Sequence, residues 1–192
     1  VSKLQADLPS LQKTILLSTP FAAHQVEADT RFEDAVSKSF EQIGGFEPEP
    51  LEFDHPVWVL YSSGTTGLPK PIVLGQGGAM LCAFANLLHH DLGPSYEANT
   101  FGERFHWFTS TGWVMWNAQI SGLQVGTTIC IYNGSPSGTK TNPDWGVLWR
   151  FAARNKVTFF GSGAAFYSNC EKAGLELSKC GDLSKVRALG ST

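Results

Sequence analysis

Short apolar runs alternate with stretches of helical spacing along this chain, the rhythm of a parallel α/β fold with helices packed on a sheet. Leu4, Leu8 and Leu11 share one side of a helix over 1–11, and the run TILLS at 14–18 follows as a buried strand. Phe32, Val36, Phe40 and Ile43 predict a second helix over 32–43, ended by Gly44 and Gly45. The stretch FEPEPLEFDHP, with three prolines and four acidic residues, reads as an extended connector. Strands at 57–61 and 71–74 then flank a Gly/Ser/Thr loop. Met80, Leu81, Phe84, Leu87 and Leu88 stripe a helix over 77–90.

Further on, a strand is expected at 104–108 and a helix over 112–122, apolar nearly all round and therefore buried. TTICIY at 127–132 is another strand, and NGSPSGTKTNP after it is a loop by composition. Asn142 and Pro143 supply a cap and a first-turn proline for a helix striped by Trp145, Leu148, Trp149 and Ala152. Strands at 157–160 and 186–189 bracket a helix over 163–173, and no internal repeat is visible. The fold class is thus α/β, a mainly parallel sheet flanked by helices. Ligands of such sheets gather beyond the carboxyl ends of the strands. The last residues, Leu189-Gly190-Ser191-Thr192, stop where a site is expected, so the chain reads as a fragment.

Composition narrows the function classes. With 42% hydrophobic and 16% charged residues the chain is an ordinary globular one, and a net charge of −3 leaves no footprint for nucleic acid or an anionic membrane. Cys82, Cys130, Cys170 and Cys180 are widely spaced without a CxxC, which points to reduced cysteines and a cytoplasmic setting. The N-terminus has no apolar signal core, and no apolar run approaches the roughly 18 residues of a membrane span, so no membrane insertion is expected. Adjacent His89, His90 and Asp91 diverge on a helix and read as its cationic C-terminal end rather than a metal site. His55 and His106 are read as structural, and Gly161-Ser162-Gly163 lacks the pattern of a nucleophile elbow.

The stretch that carries chemistry is Tyr61-Ser62-Ser63-Gly64-Thr65-Thr66-Gly67-Leu68-Pro69-Lys70. Gly64 and Gly67 allow backbone conformations that aim N–H groups at an anion. Ser62, Ser63, Thr65 and Thr66 add hydroxyls, and Lys70 adds a positive charge. Such a set suits a polyphosphate held in line for attack. It is no Walker A loop, because the lysine follows Pro69 and leads into a strand, not a helix. A second constellation, Trp107-Phe108-Thr109-Ser110-Thr111-Gly112-Trp113, marks a strand end passing into a helix, where Thr111 and Gly112 can offer donors to an anion.

SSGTTGLPK resembles the phosphate-binding signature of the adenylate-forming superfamily, which includes acyl-CoA synthetases, luciferases and peptide-synthetase adenylation domains. FDHPVWVLYSSGTTGLPKPIV, FHWFTSTGWVMWN and IYNGSP, in that order, are more similar to acetoacetyl-CoA synthetases than to acetyl-CoA synthetases or long-chain relatives. The resemblance covers most of Leu51–Thr192. It implies that 1–192 is part of an N-terminal AMP-binding domain whose C-terminal partner domain, with the catalytic lysine, lies elsewhere. The implied reaction joins ATP and a carboxylate into an acyl-adenylate, and coenzyme A then displaces AMP. By the same resemblance Ser62–Gly67 and Lys70 hold the β- and γ-phosphates with Mg2+, and Thr66 lies nearest the transferring region. Thr111, Gly112 and Trp113, with Gly190, Ser191 and Thr192, fall in the nucleotide and acyl pocket. Where relatives place histidines after the lysine strand, this chain has Leu74 and Gln76. A ligase for another short-chain acid and a non-catalytic phosphate-binding module are the alternatives.

Overall fold

The computed structural model describes residues 2–17, 27–38, 41, 44, 47–62, 67–93 and 102–192. The chain divides into two compact units, Val1–Pro50 and Leu51–Thr192. In the first, α1 (Ser2–Asp7) precedes a two-stranded parallel ladder of β1 (Ile15–Leu16) and β2 (Thr30–Arg31), and α2 (Phe32–Val36) follows. The Asp29 carboxylate accepts from Thr14 N–H at 2.6 Å and Thr14 Oγ1 at 2.8 Å, and these bonds hold its pKa below the usual range. Helix α1 is shorter than its leucine spacing predicts, since Leu8 and Leu11 are exposed and have no face to bury against. Of the helix predicted over 32–43, Phe32–Val36 is formed among the described residues, and residues 39, 40, 42 and 43 lie outside them.

The second unit holds an antiparallel hairpin, β3 (Pro56–Ser62) and β4 (Lys70–Gly75), and a four-stranded parallel sheet. The hairpin leads into α3 (Gln76–His89). Gln76 pins the connector ahead of the hairpin: its Nε2 donates to the carbonyls of Leu51 (2.9 Å) and Glu52 (2.7 Å), and its own N–H to His55 O (2.8 Å). Gly77 is required there, because a methyl group at that position would occupy the Phe53 ring.

The parallel sheet comprises β5 (Arg104–Trp107), β6 (Thr128–Ile129), β7 (Phe159–Ser162) and β8 (Ala188–Ser191), in the order β6-β5-β7-β8. Between them run α4 (Val114–Ile120), α5 (Val147–Arg154) and α6 (Ala164–Lys172). Alternation along the strands sorts two cores onto the two faces. Phe105, Trp107 and Phe159 pack with Leu87 of α3 and Met115 of α4. Phe160, one residue on, packs with Leu148, Trp149 and Ala152 of α5 and Phe166 of α6, the Trp149 and Phe160 rings stacked at 4.5 Å. Burial on both faces explains why these strands read as unbroken apolar runs.

Two helices depart from the sequence reading. The one predicted over 112–122 as wholly buried begins at Val114 and tightens into a 3-10 turn over Ser121–Val125. Its apolar Trp113 and Val114 are exposed, whereas Asn117, Gln119 and Ser121 are buried. Gln119 accounts for this inversion: Oε1 accepts from Trp107 N–H at 2.7 Å and Nε2 donates to Cys130 O at 3.1 Å, so its amide replaces ladder bonds at the sheet edge. The helix predicted to start at Asn142-Pro143 starts instead at Val147. Asn142 is occupied in a closed turn with Thr139, and Asp144 accepts from Gly146 N–H, just ahead of the helix, at 3.0 Å and pairs with Arg150. At the far end of α3, Arg187 Nη2 donates to the carbonyls of His90 and Asp91, each at 2.8 Å, while its Nε donates to Glu103. That guanidinium closes the helix end that the sequence left to His89, His90 and Asp91.

Candidate substrate-binding site

The strand order places a topological switch between β5 and β7. Chain leaving β5 passes through α4 to β6 on one side, and chain leaving β7 passes through α6 to β8 on the other. A crevice therefore opens beyond the carboxyl ends of β5 and β7. Trp107 ends β5 with Phe108 next in the chain, Ser162 ends β7 with Gly163 next, and Ser191 ends β8 with Thr192 next. Phe108 N–H donates to Gly161 O at 2.8 Å, Ala164 N–H to Thr192 O at 3.0 Å, and Tyr167 Oη to Gly190 O at 2.8 Å. The strand ends are thereby tied into one rim. Ser162 Oγ is buried at this edge without a hydrogen-bond partner among the described residues. Burial pushes the Tyr167 phenol up to about 12, so it remains a donor.

Beneath the rim, between α3, α4 and the sheet, lies a cavity of about 230 Å3. Phe105, Phe159, Met115 and the Trp107 indole give it apolar walls, and Asn86, His90 and Thr192 bring polar atoms to it. A larger cavity of about 390 Å3 sits away from the strand ends, between the hairpin (Trp58, Val73, Leu74), α3 and α4. Few polar groups on an apolar lining is the usual character of a small-molecule site.

The described residues at the tip of the hairpin, Ser62, Gly67 and Lys70, line neither cavity. Ser62 and Lys70 are register partners that close it, Lys70 exposed and Ser62 half-buried. Gly67 has φ +85°, a conformation that favours glycine, with open space around it. Ser63, Gly64, Thr65 and Thr66 lie outside the described residues. The sequence placed this loop between two strands, and the paired stems are where it put them.

The structure brings Thr192 into the wall of the smaller cavity, with Gly190 and Ser191 on the strand leading to it. Thr111, Gly112 and Trp113 form an exposed turn ahead of α4 instead of its first helical residues, so the donors expected from a helix N-terminus are not theirs. Sequence reasoning passed over Asn86 and treated His90 only as a helix end. Both lie on α3 or its cap, and their polar side chains interrupt its apolar stripe, the one signal that pointed to them. Among the described residues no group of His, Cys, Asp or Glu could hold a metal. Among the described residues no helix is long and apolar enough to cross a membrane.

The profile of the family described as AMP-binding enzyme matches residues 1–192. An acetoacetyl-coenzyme A synthetase of Rhizobium meliloti (strain 1021) is 36% identical over the whole of this chain, which spans 28% of that protein. One of Danio rerio is 33% identical over 96% of the chain and 27% of the relative. A solved acetoacetyl-CoA synthetase from Streptomyces lividans superposes with a TM-score of 0.79 at 41% identity, over 99% of this chain and 27% of that one. The anthranilate CoA ligase AuaEII, at 19% identity and TM-score 0.71, shares the fold.

Proposed function

Since this chain belongs to the AMP-binding enzyme family, we propose that it is part of the N-terminal domain of an AMP-forming acyl-CoA ligase that acts on acetoacetate. The whole-length similarity to acetoacetyl-CoA synthetases from several organisms supports that acid over acetate or propionate. The single observation that carries the reading is the hairpin: its stems are locked by the Ser62–Lys70 pair, Gly67 turns the chain through a left-handed residue, and Lys70 faces solvent where an anion can reach it.

On this reading Ser62–Gly67 and Lys70 hold the β- and γ-phosphates of ATP, with Thr66 nearest the phosphorus under attack. Their role is positioning and neutralisation of charge as pyrophosphate departs. The hydroxyl, glycine and ammonium set fits phosphate oxygens and contains no carboxylate, so Mg2+ would sit on the phosphates rather than on these side chains. The smaller cavity takes the acyl group, because Trp107 and Thr192 at the strand ends line it. The acid's carboxylate oxygen bonds to the α-phosphorus as the bond to pyrophosphate breaks. In the second step the coenzyme A thiol sulfur bonds to the carbonyl carbon and AMP leaves. A partner domain outside these residues completes the second step. The four widely spaced cysteines, without a CxxC, support a cytoplasmic setting for the enzyme.

Lys70→Ala in the full-length enzyme is expected to lower acetoacetate-dependent ATP–pyrophosphate exchange about 100-fold or more, the usual cost of removing one charge-stabilising donor. Exchange within twofold of wild type, in protein with unchanged circular dichroism, would refute the assignment. A panel of carboxylates decides the acid: a preference for acetate or propionate removes acetoacetate.

A further inference from the structure

Gly161 of β7 and Gly190 of β8 are register partners, side by side on the sheet face that looks towards α3 and α4. Without side chains they leave a trough two strands wide. The Trp107 indole fills it: a methyl group added at either glycine would fall within the ring, on Trp107 carbons in both cases. Three constraints fix the ring in place. Its main-chain N–H is held by Gln119, its plane lies within 24° of the Phe159 ring, and the residue is only 8% exposed. The same indole is a wall of the 230 Å3 cavity. That volume falls below the roughly 300–1,000 Å3 of pockets that take drug-sized ligands, which suits a group of a few carbons.

We infer that Trp107, seated on Gly161 and Gly190, is the specificity-determining residue that limits the acyl group to short acids. The trough it fills is the space into which a longer chain would otherwise run. This inference rests on the reading that the smaller cavity holds the acyl group.

The test uses the full-length enzyme and ATP–pyrophosphate exchange with straight-chain acids of two to eight carbons alongside acetoacetate. Trp107→Ala is expected to raise kcat/KM for six- and eight-carbon acids at least about tenfold relative to acetoacetate, since one methylene in an apolar pocket is worth roughly 10–200-fold. Trp107→Phe, which keeps an aromatic core in place, is expected to fall between the two. Gly190→Ala lifts the ring into the cavity and should reduce kcat/KM for acetoacetate more than for acetate. Unchanged chain-length profiles in Trp107→Phe and Trp107→Ala, or in Trp107→Phe alone should the alanine variant not fold, overturn the inference. With Lys70→Ala inactive, such profiles sink this inference only. With Lys70→Ala fully active, the ligase reading itself fails.

Discussion

His106→Phe should remove most of the acid sensitivity of the larger unit between pH 7 and pH 5. His106 is 1% exposed, between the rings of Phe151 and Phe160 at 5.0 and 5.4 Å. Its Nδ1 lies 2.8 Å from the Cys130 carbonyl and so carries the proton, while Nε2 is buried without a partner among the described residues. Burial drives its pKa down from 6.5 to about 4, against the opposing pull of the Cys130 carbonyl. In the window from 6.5 to 4 the unfolded chain binds a proton that the native chain refuses, so stability rises with pH and is lost as acid is added. The full difference is about 3 kcal/mol at 1.36 kcal/mol per pH unit, and about 2 kcal/mol of it falls between pH 7 and pH 5. Asp29, Asp144 and Asp182 also resist acid, but they are held below 3.8 and lose their contribution under that window. Phenylalanine keeps the ring, and Cys130 O keeps its bond from Gln119 at 3.1 Å. Urea unfolding followed by tryptophan fluorescence at the two pH values measures the effect. A variant that loses as much stability as wild type on going to pH 5 would show that His106 is not the group responsible.

Two further outcomes concern the surface. Under native conditions one thiol of the four should react rapidly with a disulfide reagent: Cys82 is exposed, whereas burial raises the thiol pKa of Cys130, Cys170 and Cys180. Peptide mapping that finds Cys170 or Cys180 labelled as fast as Cys82 would contradict the packing around α5 and α6. Gln76→Ala should remove the side-chain donor from the carbonyls of Leu51 and Glu52 and speed hydrogen exchange at the His55, Gln76 and Gly77 amides about fivefold, equivalent to roughly 1 kcal/mol. Unchanged exchange at all three amides would mean that the main-chain bonds alone secure the connector.

Most of the parallel sheet was legible because strands buried on both faces are simply apolar, and Phe159-Phe160 cannot be mistaken. The hairpin was legible from its own composition, with stems at 57–61 and 71–74 found as Pro56–Ser62 and Lys70–Gly75. What escaped depended on partners far along the chain. Gln119 drew no notice in a helix read as apolar nearly all round, and only Trp107 N–H and Cys130 O give its amide a reason to be inside. Pro143 looked like a first-turn proline, yet the turn between Thr139 and Asn142 closes on itself and delays the helix to Val147. Of the cavity wall only Thr192 was named in advance, since Asn86 and Trp107 meet it only once the strand order is known.

The Arg187 bond to the end of α3 has a consequence for synthesis. That arginine follows His90 by 97 residues, an interval of roughly 5–20 seconds at about 5–20 residues per second. Until it emerges from the ribosome, the helix has open carbonyls at its tail, and the core cluster around Leu87 lacks Ala188, the residue that follows that arginine. A nascent chain halted before β8 would leave that end of α3 open to solvent, a natural target for a holding chaperone.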